Sequence, residues 1–219
     1  MLANKKRTYL FVCLLSLLTL CRVVADIQIS AELLVKINER YGIEARNRVE
    51  QWQALLLTAK DLPEQDKLIQ VNKFFNQHIK FRNDISLWGM NDYWATPLEF
   101  IIKGAGDCED YSIAKYFTLQ ELGVPEEKMR ITYVKALKLN QAHMVLTYFT
   151  TVRSVPVVLD NLITEIKPAT ERRDLKPVYS FNGSGLWLAK TRGNGKRVGG
   201  SSGINMWAEL KERMLSDEI

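Results

Sequence analysis

Gly104-Ala105-Gly106-Asp107-Cys108-Glu109-Asp110-Tyr111 sets a cysteine directly behind a glycine-rich turn and at the first position of a helix. Asp107 is the expected N-cap. Ile113, Tyr116, Phe117 and the run from Leu119 to Leu122 supply the buried side, and Gly123-Val124-Pro125 ends the helix. At that position the free backbone N–H groups and the helix dipole favour a thiolate. Upstream, Thr96-Pro97-Leu98-Glu99 combines a capping threonine, a proline at the first helical position and a glutamate three residues after the cap. It starts a short helix that stops at Gly104.

Further out, the front half reads helical. Leu33, Leu34, Ile37 and Tyr41 recur at helical spacing, as do Ala45, Val49, Trp52 and Leu56 after Gly42. Pro63 opens a third helix with Leu68, Val71, Phe75 and Ile79 on one face. Beyond the cysteine helix the period changes. Arg130–Ala136, His143–Phe149 and Val155–Leu159 are rich in β-branched and aromatic residues and predict strands joined by short loops, hence an antiparallel sheet. The fold class is α+β: helices first, then a sheet against which the cysteine helix packs. Residues 192–203 are rich in Gly and Ser and predict a flexible link, and Met206, Trp207, Leu210 and Met214 mark a last amphipathic helix.

The first 25 residues have the pattern of a cleaved secretory signal. Lys5, Lys6 and Arg7 precede the apolar run Tyr9–Leu20, with Val23 and Ala25 before a cut at Asp26; the run is short for a membrane span. The expectation is a single mature domain over 26–219. Four of the 30 basic residues and none of the 25 acidic ones lie in the signal, so the formal charge falls from +5 to +1. The basic balance therefore argues for no nucleic-acid partner and no membrane surface. Of three cysteines, Cys13 and Cys21 lie within the signal, leaving Cys108 alone and without a disulfide partner.

A thiolate nucleophile needs a base, and the base needs an orienting group. The chain has two histidines. His78 falls at helical spacing from Val71, Phe74 and Phe75 and reads as a half-buried helix residue. His143 starts a strand beside a turn, where a side chain can face a cleft. Asp160 ends the next strand and is the expected orienting group, with Gln141 and Asn161 as weaker alternatives. Asp107, Glu109 and Asp110 surround Cys108 with negative charge that, uncompensated, would hold the thiol protonated. Two arrangements resolve this: the carboxylates cap the helix and point away from the sulfur, or a hard cation such as Ca²⁺ binds among them.

The segments Gly104–Tyr111, His143-Met144-Val145-Leu146 and Leu159-Asp160-Asn161, with Asn91–Pro97 before the cysteine helix, resemble the bacterial transglutaminase-like cysteine proteinases. The resemblance spans most of the chain from the first helix to Trp187. It implies a papain-like, transglutaminase-like core and a Cys-His-Asp triad falling on Cys108, His143 and Asp160. It implies calcium dependence, with ligand positions on Asp107 and Glu109. It also implies a periplasmic enzyme that cleaves a large cell-surface adhesin near its N-terminal module, releasing it and dispersing biofilm, under sequestration by an inner-membrane receptor for cyclic di-GMP. The rival expectations are an acyl or amide transferase with the same triad, and a periplasmic binding protein with an inert thiol. Trp88, Trp94, Trp187 and Trp207 read as core or surface anchors rather than as a groove.

Overall fold

A computed structural model describes residues 29–151, 153–188, 195–201 and 204–216. The proposed signal, with Cys13 and Cys21, lies outside the described residues. Seven helices appear among the described residues: α1 Ala31–Tyr41, α2 Ile43–Ala59, α3 Glu64–His78, α4 Asp84–Leu87, α5 Pro97–Lys103, α6 Cys108–Glu121 and α7 Asn205–Leu215. Strands β1 Lys80–Phe81 and β2 Ala105–Gly106 pair in parallel. Strands β3 Met129–Ala136, β4 Gln141–Tyr148, β5 Val157–Leu159, β6 Lys167–Pro168, β7 Leu175–Phe181, β8 Leu186–Leu188 and β9 Lys196–Gly199 form one sheet in the order β6-β5-β4-β3-β7-β8-β9. Every pairing in that sheet is antiparallel.

The local signals explain the elements around the cysteine. Thr96 and Glu99 close a reciprocal capping box at the start of α5, and Gly104 ends it in the left-handed region at φ 64°. A Cβ on Gly104 would lie 2.6 Å from the Arg48 guanidinium, which donates to the last carbonyls of α5, Ile101 (2.8 Å) and Ile102 (2.6 Å). A Cβ on Gly106 would meet the Phe100 ring at 2.6 Å. The turn therefore admits glycine at both positions.

Helix α6 lies between the sheet and α3. Ile113, Ala114, Tyr116 and Leu119 are buried with Ile131, Leu146, Tyr148 and Phe181 of the sheet and with Leu68, Val71 and Phe75 of α3. Being covered on both sides, α6 also buries Lys115 and Thr118, and Thr118 accepts from the Trp52 indole at 3.0 Å. Strands β6 to β9 are additions to the sequence reading. They are short, and β7 carries a proline at Pro177 beside a register shift. Residues 196–199, inside the stretch read as a flexible link, form β9 against β8. His78 is exposed, with its ring 4.8 Å from that of Phe74, rather than half-buried.

Candidate active site

The turn bearing Cys108 is fixed from three sides. Lys80 and Arg82 donate backbone N–H groups to the carbonyls of Gly104 (3.0 Å) and Gly106 (2.8 Å), and the Tyr111 hydroxyl donates to the Ile79 carbonyl at 2.7 Å. The fully buried Asp110 carboxylate accepts from Ala95 N (2.8 Å) and Asp107 N (3.2 Å), joining the 92–96 loop to the helix start. That loop is held further by Tyr93 N donating to Asp84 Oδ2 (2.5 Å), and Arg213 of α7 donates to the Trp94 carbonyl. Cys108 is partly buried on the first turn of α6, and its Sγ donates to Glu109 Oε2 at 3.0 Å.

The electrostatics at this end are one-sided. Ligand atoms of Asp84, Asp92 and Glu109 lie within 4.8 Å of one another, as do those of Asp84, Asp107 and Asp110 and those of Asp107, Cys108 and Glu109. Burial and then Glu109 push the Asp107 carboxyl up to about 10, and burial pushes Asp84 to about 6 despite the Tyr93 N–H. Asp92 and Asp110 are raised as well, each first by burial. Burial, then the Glu109 charge and hydrogen bond, push the Cys108 thiol upward, so the bare acidic surround opposes the thiolate. Asp107 Oδ1 is buried without a hydrogen-bond partner. The carboxylates of Asp84, Asp92, Asp107, Glu109 and Asp110, with one Asp107 oxygen buried and orphaned, fit a hard divalent cation.

Strands β4 and β5 carry the other half. His143 and Asp160 are both buried, and His143 Nε2 lies 2.8 Å from Asp160 Oδ1. Asp160 Oδ1 also accepts from Asn161 N (2.7 Å) and Leu162 N (3.1 Å), and Oδ2 accepts from Arg172 Nη2 (2.6 Å). Burial alone would raise this carboxyl. The hydrogen bond and charge of His143, then Arg172, outweigh burial and hold it at about 2. An ionised Asp160 can only accept, so a His143 proton sits on Nε2, and in the neutral ring Nδ1 is the nitrogen free to accept. Beneath Asp160, its carbonyl accepts from Asn76 Nδ2 (2.8 Å) and Lys115 Nζ (3.1 Å), while Lys115 also donates to the side-chain oxygens of Asn72 (2.8 Å) and Asn76 (2.9 Å).

The fold thus brings His143, on the strand β4 that α6 packs against, into a hydrogen bond with Asp160 just past β5, and gathers Asp107 and Glu109 around Cys108. Of the weaker orienting candidates, Asn161 contributes its backbone N–H to Asp160, and Gln141 is exposed at the start of β4. Trp94 and Trp207 are core residues, Trp88 lies under Lys103 and Trp187 under Arg130. Asp84, Asp92, Lys115 and Arg172 belong to the site without having been singled out in the sequence. Asp92 lies within the quoted Asn91–Pro97 segment but no role was read from it, and Asp84, Lys115 and Arg172 come from a segment without a motif or from a helix position that ordinarily faces water. No described helix is long and apolar enough to cross a membrane.

The family model of the bacterial transglutaminase-like cysteine proteinases matches residues 35–177. Among solved structures, EGTA-treated LapG of Legionella pneumophila is 46% identical with a TM-score of 0.74, covering 85% of this chain and 98% of that one. Calcium-bound LapG of the same organism is 45% identical with a TM-score of 0.72, covering 85% and 99%. No curated protein matches the chain significantly.

Proposed function

This chain belongs to the bacterial transglutaminase-like cysteine proteinases, and on that premise we propose that it is a calcium-dependent endopeptidase with Cys108, His143 and Asp160 as its triad. The observation that carries the reading is the buried His143–Asp160 hydrogen bond, 2.8 Å long, with His143 on the strand packed against the helix that starts at Cys108. His143 Nδ1 takes the thiol proton and the sulfur attacks the scissile carbonyl. His143 then gives that proton to the leaving amine and later draws one from water to release the acyl group. Asp160 holds the tautomer and stabilises the imidazolium. The backbone N–H of Cys108, one of the donors a helix start leaves unpaired, faces the developing oxyanion.

Asp107 and Glu109, with Asp84 and Asp92 beside them, are the residues that would hold calcium. Held by these carboxylates, calcium would neutralise the charge that keeps the Cys108 thiol protonated. The two LapG structures, one calcium-bound and one EGTA-treated, support that choice of cation. By the same kinship we propose that the enzyme is exported to the periplasm. There it would cleave a large adhesin near its N-terminus, disperse biofilm, and be sequestered by an inner-membrane cyclic di-GMP receptor.

The test is incubation of residues 26–219 with an adhesin N-terminal fragment, in calcium and in EGTA, beside Cys108→Ala. Cleavage that requires both calcium and Cys108 is the expected result. Amine incorporation in place of cleavage would replace the protease with an acyl transferase on the same triad, and inertness of the folded enzyme toward both would leave a binding protein.

A further inference from the structure

Among the described residues, Asp160 Oδ1 has three hydrogen-bond partners, but Oδ2 has one, the Arg172 guanidinium at 2.6 Å. Arg172 is itself aimed by Asp174, with Nε to Oδ1 at 3.0 Å and Nη2 to Oδ2 at 2.8 Å. Its side chain is 2% exposed, whereas the adjacent Arg173 is exposed. An inward arginine beside an outward one points to a task at Asp160 rather than to solubility. We propose that Arg172, anchored by Asp174, is a positioning residue that keeps Asp160 ionised and oriented, and through it fixes the His143 tautomer with Nδ1 bare.

The chemistry follows from the inventory of donors. A protonated Asp160 could donate to His143 Nε2, which would move the ring proton to Nδ1 and leave no acceptor for the cysteine. A guanidinium donates only and never loses its charge at ordinary pH, so a carboxylate facing it on Oδ2 stays an acceptor on Oδ1. The fork on Asp174 prevents the guanidinium from swinging away, since Nη2 is shared by the two carboxylates. Removing Arg172 leaves Oδ2 buried without a donor and frees the carboxylate to rotate. The inference rests on the reading of His143 as the base for Cys108.

The experiment measures iodoacetamide alkylation of Cys108 at one pH near neutrality in saturating calcium, together with the proton NMR signal of the His143 Nε2–H. Arg172→Gln is expected to alkylate about 10-fold more slowly, as loss of an outer partner of a functional histidine commonly costs, and to lose or shift that signal. Arg172→Lys should recover part of the rate, because an ammonium can still donate to Oδ2. A folded Arg172→Gln with wild-type rate and signal overturns the proposal. Should Arg172→Gln fail to fold, Asp174→Asn decides: it should weaken both readouts, and a wild-type rate and signal there overturn the proposal equally. His143→Ala separates the two levels. If it leaves alkylation untouched, the triad reading fails; if it slows alkylation while the Arg172 variants do not, only the positioning role fails.

Discussion

Carboxylates at the two ends of the site meet opposite surroundings. At the start of α6, Asp84, Asp92, Asp107, Glu109 and Asp110 crowd together and the resolved shifts among them are upward. At the β4–β5 edge, Asp160 is more deeply buried than Asp107 yet is held at about 2, because His143 and Arg172 face it directly. Burial is the largest upward influence on Asp107, Asp110 and Asp160 alike; the presence of cations within the chain decides the outcome. The histidine half is electrostatically complete as folded, while the cysteine half has the charge of a site that needs an ion from outside. In the proposed triad, such an arrangement would place the switch at Cys108 and the rigidity at His143.

Asp160→Asn breaks the complete half and has the largest expected effect. The amide would set its N–H against either His143 or the Arg172 guanidinium, so hydrolysis should fall by about 10³- to 10⁴-fold, as for an orienting carboxylate elsewhere. The variant also tests the sign of the shift. A carboxyl lowered from 3.8 to about 2 stabilises the fold fully above pH 4 and loses that contribution as pH falls through about 2. The wild type should therefore lose about 2 kcal/mol between pH 4 and pH 2 that the variant does not lose. Urea unfolding across that range measures it, and parallel curves for the two proteins would refute the pairing.

Asp107→Asn addresses the open half, with the opposite sign on stability. A carboxyl raised from 3.8 to about 10 contributes stability below pH 4 that is lost as pH climbs toward the raised value. In EGTA at pH 8 the neutral amide should therefore melt higher than wild type. In calcium the order should reverse, since the variant lacks one of the proposed ligands, and hydrolysis should drop about 10- to 100-fold. Melting curves in calcium and in EGTA read both arms. A variant that melts below wild type in EGTA would show that the acidic cluster is not strained by its own charge.

The two halves were unequally legible in the sequence. The cysteine half is written locally: the Thr96–Glu99 box, Gly104 and the Gly106–Asp110 turn lie within fifteen residues, and local capping and turn chemistry fixes them. His143 and Asp160 were reachable because strand periodicity placed them at neighbouring strand ends. Arg172 lies in a turn segment after β6, where an Arg-Arg pair gives no sign of which member turns inward. Lys115 sits in α6 where a lysine ordinarily reaches solvent, and only the sandwiching of that helix between sheet and α3 buries it. Asp84 and Asp92 reach the site through short α4 and the loop after it, which carry no periodic signal.

Lys115→Met makes the smallest change and the finest test of the complete half. The ammonium is wholly buried and, among the described residues, is bonded to neutral oxygens, those of Asn72, Asn76 and the Asp160 carbonyl. Burial lowers it to about 7, with the Asp160 charge opposing. Methionine of similar length removes a costly buried charge but strands three acceptors, so at pH 7 the terms offset to within about 1 kcal/mol. The direction with pH is unambiguous. Between about pH 7 and 10.5 the unfolded chain holds the proton that the folded chain has released, so wild-type stability rises across that window relative to the variant. Chemical unfolding at pH 6, 8 and 9.5 should show the gap between the two proteins shifting steadily toward the wild type. A gap that stays constant would mean that Lys115 keeps its proton throughout, and that the histidine half of the site holds two permanent buried cations, Arg172 and Lys115, around the single carboxylate of the proposed triad.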